Sequence, residues 1–128
     1  MADLYIKEVE GKGRGVFSNE AIEENEIIEF CPMIILPSRD QPHIDHTKLY
    51  DYYFLWGESQ DKLGIALGYG SLYNHDYSPN AKYDTYFEEE IMVVRALRRI
   101  APHEEITISY NQDPEDQREV WFERSAED

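Results

Sequence analysis

Apolar residues in this chain are grouped in short runs between polar turns, a pattern that predicts β-strands rather than long amphipathic helices. Strands are expected at residues 4–6, 63–67 and 105–110. Residues 81–87 and 91–97 flank three consecutive glutamates, which predicts a hairpin closed by an acidic turn. The pattern therefore indicates a mainly β protein.

Helices are expected at only two places. Residues 49–56 hold five aromatic side chains without a clean period, and we interpret them as a short helix. Asp113, Pro114 and Glu115 have the order of an N-cap, a first-turn proline and a first-turn acid. They predict a C-terminal helix that carries Trp121.

Two details predict local backbone features. Pro32 lies between two apolar runs and lacks a donor N–H, so we expect a bulge or a sheet edge there. The pattern I-x-x-(N/H)-E-x-I occurs twice, each time before a predicted strand. Asn25 and His103 occupy the same place in the two copies and are candidates for the left-handed conformation.

The composition limits the function classes. The 128 residues carry 12 Lys and Arg against 27 Asp and Glu, a formal net charge of −15. Such acidity argues against direct binding of nucleic acid phosphates. Hydrophobic residues make up 41% and aromatic residues 13%, too much for a disordered acidic chain, so we expect one folded domain.

Cysteine usage and the N-terminus suggest a compartment. Cys31 is the single cysteine, which excludes an internal disulfide framework and favours a reducing environment. It looks buried, with no base nearby in sequence. No apolar run is long enough to span a membrane, and no signal peptide pattern is present. We expect a soluble intracellular protein, cytoplasmic or, in a eukaryote or a virus, nuclear.

Two polar segments are candidates for ligand binding. Residues 11–15, GKGRG, have closely spaced glycines that let a backbone approach a ligand, although a plain hairpin turn explains them better. Asn74 and His75 lie in an otherwise apolar stretch and must be hydrogen-bonded there. The alternatives are a satisfied core network and a ligand site.

Acidic and metal-binding chemistry is less well supported. The adjacent Glu104 and Glu105 point to opposite faces of an extended segment, so they cannot act together on one bond and are interpreted as a turn and its exit. His43, Asp45 and His46 lie within four residues, but no second cluster completes a tetrahedral set. We interpret them as a polar loop and expect no metal site.

Three motifs, taken in order, resemble those of the SET-domain protein lysine methyltransferases, especially the small stand-alone SET proteins of viruses and bacteria. They are GRGVF at residues 13–17, NHDYSPN at 74–80 and EEITISY at 104–110. The resemblance implies a SET domain over residues 1–112, with small β-sheets around a C-terminal pseudoknot. Residues 113–128 would form a helical segment in place of the family's zinc-binding tail.

The resemblance also implies S-adenosylmethionine as methyl donor, S-adenosylhomocysteine as product and no metal. Lys12, Gly13 and Arg14 would contact the amino-acid end of the cofactor, chiefly through backbone groups. Asn74 and His75 would hold its amino and adenine ends.

Aromatic residues complete the implied site. Tyr110 matches the family's catalytic tyrosine and would also contact the cofactor. Trp121 would stack on adenine or close the lysine channel, or it merely docks the tail. Tyr83, and less strongly Tyr69 and Tyr73, are candidates for the walls of the substrate channel, with core packing as the alternative.

The sequence departs from the family pattern before and after Asn74. Asp76 replaces the usual small Ser, and residues 71–73, SLY, replace a lead-in of the Arg-Phe-Ile type. Both departures bear on the adenine pocket.

The implied function is transfer of a methyl group from S-adenosylmethionine to a lysine of a basic protein, such as a histone tail, which the net charge of −15 would attract. The rival interpretation is a catalytically weak SET-fold module that recruits basic partners through its acidic surface. Sheet edges and the tyrosine-rich residues 50–56 favour a homodimer, whereas the acidic surface opposes one.

Overall fold

The computed structural model of the protein describes residues 2–109. Tyr110, Trp121 and the helix predicted at 113–128 lie outside the described residues. Within residues 2–109 the chain forms nine strands: β1 (Leu4–Val9), β2 (Gly13–Ser18), β3 (Ile27–Pro37), β4 (Phe54–Trp56), β5 (Lys62–Ala66), β6 (Asn74–His75), β7 (Ala81–Tyr86), β8 (Ile91–Ala96) and β9 (Glu105–Ile108). The predicted mainly β fold is confirmed.

The first sheet has the order β1-β2-β9-β6. β1 and β2 form an antiparallel hairpin, and β9 pairs antiparallel with β2. On its other side β9 pairs in parallel with β6, so that Asn74 faces Thr107 and His75 faces Ile108. The last described strand is therefore held between two strands that come much earlier in the chain.

The second sheet has the order β4-β5-β3-β8-β7. The first half of β3 pairs with β8 as far as Pro32, and the second half pairs with β5 from Met33 onward. Of the two alternatives predicted at Pro32, the bulge is wrong, because β3 runs through this residue and its register shifts between Ile27 and Glu29 instead. The sheet edge is closer to the structure, because Pro32 pairs with β8 alone and pairing with β5 begins only at Met33. Pro32 marks the exchange of partner strands, where the ladder on one side ends and a missing N–H is tolerated.

The helix predicted at residues 49–56 is also wrong. The segment is a single 3-10 turn, Lys48–Asp51, followed by strand β4. Pairing with β5 extends the backbone here and directs the ring of Trp56 against Phe87, with ring centroids 5.1 Å apart. Aromatic density alone did not reveal this long-range partner. The preceding polar loop holds one short helix, α1 (Gln41–Ile44).

The repeated turn pattern forms the same turn twice. Asn25 has φ 68° and His103 has φ 65°, so the predicted left-handed positions are confirmed. In both turns the glutamate that follows accepts a hydrogen bond from the backbone N–H three residues before it. The two copies pair with each other through an antiparallel bridge between Ile22 and Ile100.

The core contains buried side chains from both sheets, such as Val16 of β2 and Val94 of β8. Its largest fully buried members include Trp56, Tyr73, Ile28, Met92 and Ile106. No helix within residues 2–109 is long and apolar enough to cross a membrane.

Candidate functional site

The glycine motif forms the turn between β1 and β2. Gly11 and Gly13 have φ values of 79° and 83°, a region in which glycine carries no steric cost. A Cβ atom added at Gly13 would meet no other atom within 4 Å, so the space beside this backbone is open. The hairpin interpretation is therefore correct. The Lys12 N–H donates to the oxygen of Val9 within the turn, and the space beside Gly13 is left open.

Asn74 connects the glycine turn to the last strand. Its side-chain amide donates to the backbone oxygen of Arg14 at 3.0 Å and to Oε2 of Glu105 at 2.7 Å. Both of these neighbours only accept hydrogen bonds, so they must face the NH2 group of Asn74 and not its oxygen. The three sequence motifs are thus brought together at one half-buried side chain.

The sequence predicts only a turn exit at Glu105, whereas the structure places this carboxylate against Asn74. Its other oxygen, Oε1, lies 3.5 Å from Nζ of Lys12. A Cβ atom at Gly15 would lie 2.6 Å from Oε2 of Glu105 and 3.1 Å from Nδ2 of Asn74. The glycine therefore makes room for the carboxylate, a constraint that only the pairing of β2 with β9 reveals.

Glu104 points away from this cluster, as the opposite faces of an extended segment require. It pairs with Arg98 at 2.6 Å and accepts from the backbone N–H of Ala101. The hydrogen bond from Arg98 holds the pKa of Glu104 below its ordinary value. The adjacent glutamates therefore have separate roles, as predicted.

His75 and Asp76 continue from β6. The ring of His75 packs edge-on against Tyr77, with centroids 4.3 Å apart. The backbone N–H of Asp76 donates to the oxygen of Ile108, and Oδ1 of Asp76 accepts from the N–H of Ser78 at 2.8 Å. Asp76 thus forms a side-chain turn, which a serine hydroxyl forms more weakly.

Asn80 is a buried residue that the sequence did not single out. Its side chain donates to the oxygen of Glu105 at 2.7 Å and accepts from the N–H of Thr107 at 2.8 Å, while it is only 2% exposed. Its position in the second motif was the only available signal. Asn80 fastens the loop after β6 onto β9, the strand that leads to Tyr110.

The candidate channel tyrosines lie in different surroundings. Tyr83 packs edge-on against Phe54, with centroids 5.3 Å apart, and burial raises its pKa to about 12. Tyr69 is partly buried. Tyr73 is 1% exposed, and its hydroxyl donates to Glu29 at 2.7 Å. Burial and then the negative charge of Glu29 raise the pKa of Tyr73 well above its ordinary value.

Glu29 is a carboxylate inside the second sheet. Besides Tyr73, it accepts from the backbone N–H of Tyr69 at 2.9 Å. Burial, followed by the charge of Glu29, raises the pKa of the Cys31 thiol. Cys31 is buried, as predicted, and its raised pKa makes it a poor nucleophile.

The polar loop with His43 and His46 brings no other ligands close. Among the described residues, no three His, Cys, Asp or Glu side chains are grouped so that they could hold a metal ion.

Comparison with known proteins agrees with the three motifs. The family model for the SET domain matches residues 13–111. The chain belongs to the SET domain family. The predicted resemblance to SET-domain lysine methyltransferases and the predicted SET fold are confirmed.

Relatives of this SET domain are found in fungi and in a protozoan. A histone-lysine N-methyltransferase of Schizosaccharomyces pombe, specific for H3 lysine 37, is 36% identical over 124 residues, covering 96% of this chain and 79% of the relative. A crystal structure of a candidate histone methyltransferase from Plasmodium falciparum is 35% identical with a TM-score of 0.72, covering 88% of this chain and 96% of that one.

The SET fold also matches a humanized mutant of the Chaetomium thermophilum Polycomb Repressive Complex 2. That match has a TM-score of 0.70 at 18% identity and covers 84% of this chain but 15% of the other, so it bears on the fold alone.

Proposed function

We propose that this SET domain transfers a methyl group from S-adenosylmethionine to the ε-amino group of a lysine in a basic protein. The fungal relative is named for lysine 37 of histone H3, which makes a histone tail the first substrate to test. A net charge of −15 suits a substrate rich in Lys and Arg, because opposite charges speed the encounter. Such substrates fit an intracellular enzyme, in the nucleus or the cytoplasm.

The observation that carries this proposal is the meeting of three motifs at Asn74. Within residues 2–109 its NH2 group is occupied by Arg14 and Glu105, and its side-chain oxygen is the group left to accept a hydrogen bond from a cationic amine. The open backbone at Gly13 suits a carboxylate, which needs N–H donors without side chains in the way. This donor and acceptor set fits the amino-acid end of S-adenosylmethionine.

Residue roles follow from this fit. We assign Lys12, Gly13 and Arg14 to the carboxylate end of the cofactor, Asn74 to its ammonium and His75 to adenine. Trp121 remains proposed to stack on adenine or to close the lysine channel.

When bound, the cofactor supplies an electrophilic methyl group on a positively charged sulfonium. The protein's task is to align a neutral lysine amine with it, and positioning alone removes several kcal/mol of a barrier. An apolar channel lowers the pKa of a lysine by desolvation and so yields the neutral amine. We propose Tyr110 as the catalytic tyrosine that orients this amine.

The proposed channel walls include Tyr83 and Tyr69, whose ring faces attract a cationic side chain. The hydroxyl of Tyr73 is already donated to Glu29, so we assign Tyr73 to supporting this wall from the interior. The homodimer stays a prediction.

Methyl transfer from isotopically labelled S-adenosylmethionine to purified histones tests the proposal, with Tyr110→Phe as the control. Label on a histone lysine that falls at least tenfold in Tyr110→Phe is the expected result. Binding of S-adenosylhomocysteine without transfer to any basic protein would favour the rival function, a SET-fold module that recruits basic partners. Failure to bind the cofactor would overturn the assigned site.

A further inference from the structure

We propose that Glu105 is a positioning residue that fixes the orientation of the Asn74 side chain and thereby makes the site selective for a cofactor with a free amine. This inference rests on the proposed function, because it concerns how the same site recognises the amino-acid end of S-adenosylmethionine.

A carboxamide can rotate so that its NH2 group and its oxygen exchange places, and the two orientations recognise opposite partners. At Asn74 the orientation is set from two sides. The backbone oxygen of Arg14 and Oε2 of Glu105 each accept a hydrogen bond from the NH2 group of Asn74. Rotation would bring the Asn74 oxygen against two acceptors, which is unfavourable at both contacts.

Glu105 is held in place for this task. Its side chain is 16% exposed, and Oε1 lies 3.5 Å from the Lys12 ammonium on the neighbouring hairpin. Gly15 leaves the space in which Oε2 meets Asn74, since a Cβ atom there would lie 2.6 Å from this oxygen. The carboxylate therefore lies between the glycine turn and β6, and its two oxygens have different partners.

As a consequence, Asn74 always presents its side-chain oxygen, a hydrogen-bond acceptor, to the ligand. The Asn74 oxygen accepts a hydrogen bond and cannot donate one, so it favours an ammonium and disfavours a carboxylate in the same position. With the cationic side chain of Lys12 on the other side of Glu105, a zwitterionic amino-acid end can bind in one direction only. Glu105 acts on the cofactor through Asn74 and does not touch it in this account.

The adjacent Glu104 provides a matched control. It lies on the same extended segment but contacts Arg98, Ala101 and the side chain of Asn80, and it has no contact with Asn74 among the described residues. Glu104→Ala removes an acidic side chain and an ion pair one residue away without altering the Asn74 contacts.

The test measures binding of S-adenosylhomocysteine by calorimetry to the full chain without substrate. Glu105→Ala should weaken binding about tenfold, because one of the two bonds that orient Asn74 is lost. Glu105→Gln keeps an acceptor oxygen and should stay within about threefold of the parent. Glu104→Ala should bind like the parent, and all three variants are checked for folding by thermal melting.

A second ligand separates positioning from general damage to the site. The analogue of S-adenosylhomocysteine that lacks the α-amino group should bind equally to the parent and to Glu105→Ala. An equal loss for both ligands, or no loss for either, overturns the inference while leaving the proposed function standing. If the parent binds neither ligand, the proposed function itself fails.

Discussion

Asn80 should be one of the residues on which the stability of the domain depends most, because it joins the loop after β6 to β9. The perturbation is Asn80→Ala, which removes the side-chain bonds to the oxygen of Glu105 and the N–H of Thr107. The backbone N–H of Asn80 also donates to the Thr107 hydroxyl at 3.4 Å. This bond does not involve the Asn80 side chain, so the substitution leaves it in place.

The magnitude follows from the groups that are left behind. The substitution leaves one backbone N–H and one backbone oxygen without their partners in a region where Asn80 and Thr107 are 2% and 6% exposed. Each such group costs about 1–3 kcal/mol, so the free energy of unfolding should fall by about 3 kcal/mol in total. For a domain of this size that is a drop of roughly 12 °C in the melting temperature.

Urea denaturation followed by circular dichroism measures this change directly. Asn19→Ala is the matched control, because the Asn19 amide bonds to Asp3 at the exposed surface, and it should stay within about 0.5 kcal/mol of the parent. A loss below about 1 kcal/mol for Asn80→Ala, or a loss equal to that of the control, would show that these two backbone groups do not need the Asn80 side chain.

Three further predictions concern other polar groups. Tyr73→Phe removes the 2.7 Å bond to Glu29 and leaves a buried carboxylate short of a donor, so urea denaturation should show a loss of about 2 kcal/mol. Glu104→Gln should remove a pH-dependent contribution to the free energy of unfolding. The hydrogen bond from Arg98 lowers the pKa of Glu104 in the folded protein, so the ionised side chain stabilises the fold above the ordinary pKa of 4.5. This stabilisation is lost as the pH falls through the folded pKa. The difference in melting temperature between parent and variant should therefore be constant near neutral pH and shrink in acid. The Cys31 thiol should resist alkylation by iodoacetamide in mildly alkaline buffer while the protein is folded and react fully in urea, because burial raises its pKa.

Each of these predictions has an outcome that contradicts it. A Tyr73→Phe loss no larger than that of Tyr86→Phe, at an exposed tyrosine, would show that the buried hydroxyl contributes little. A difference in melting temperature between the parent and Glu104→Gln that grows in acid would show that the ionised Glu104 does not stabilise the fold. Rapid labelling of Cys31 in the folded protein would show that its side chain is accessible.

Local features of this fold were predictable from the sequence because neighbouring residues determine them. Asn25 and His103 adopt the left-handed conformation in turns whose hydrogen bonds stay within four residues. The β7–β8 hairpin is closed by the acidic turn that the sequence predicted, with Glu90 at φ 56°.

Features that depend on distant partners were not predictable. Pro32 lies inside a continuous strand because β3 exchanges one neighbour for another at that residue. Phe54 and Trp56 form a strand because β5 pairs with them.

The candidate site shows the same division between local and distant determinants. The resemblance of three motifs named Lys12, Arg14 and Asn74, and the structure brings them together. It contained Glu105 and Asn80 but assigned them no role, because their roles depend on β9 lying between β2 and β6. The residues next to a carboxylate at the end of a turn do not determine which side chain it will contact on a neighbouring strand.

The most direct test of the central claim is mass spectrometry of histone H3 after incubation with the protein and S-adenosylmethionine. Methyl groups are expected on the ε-nitrogen of one or a few lysines, and Tyr110→Phe should reduce them at least tenfold. Unmodified lysines in H3 and in other basic proteins, from a folded protein that binds S-adenosylhomocysteine, would contradict it. So would methylation that Tyr110→Phe leaves unchanged, since the proposed catalytic residue would then have no role.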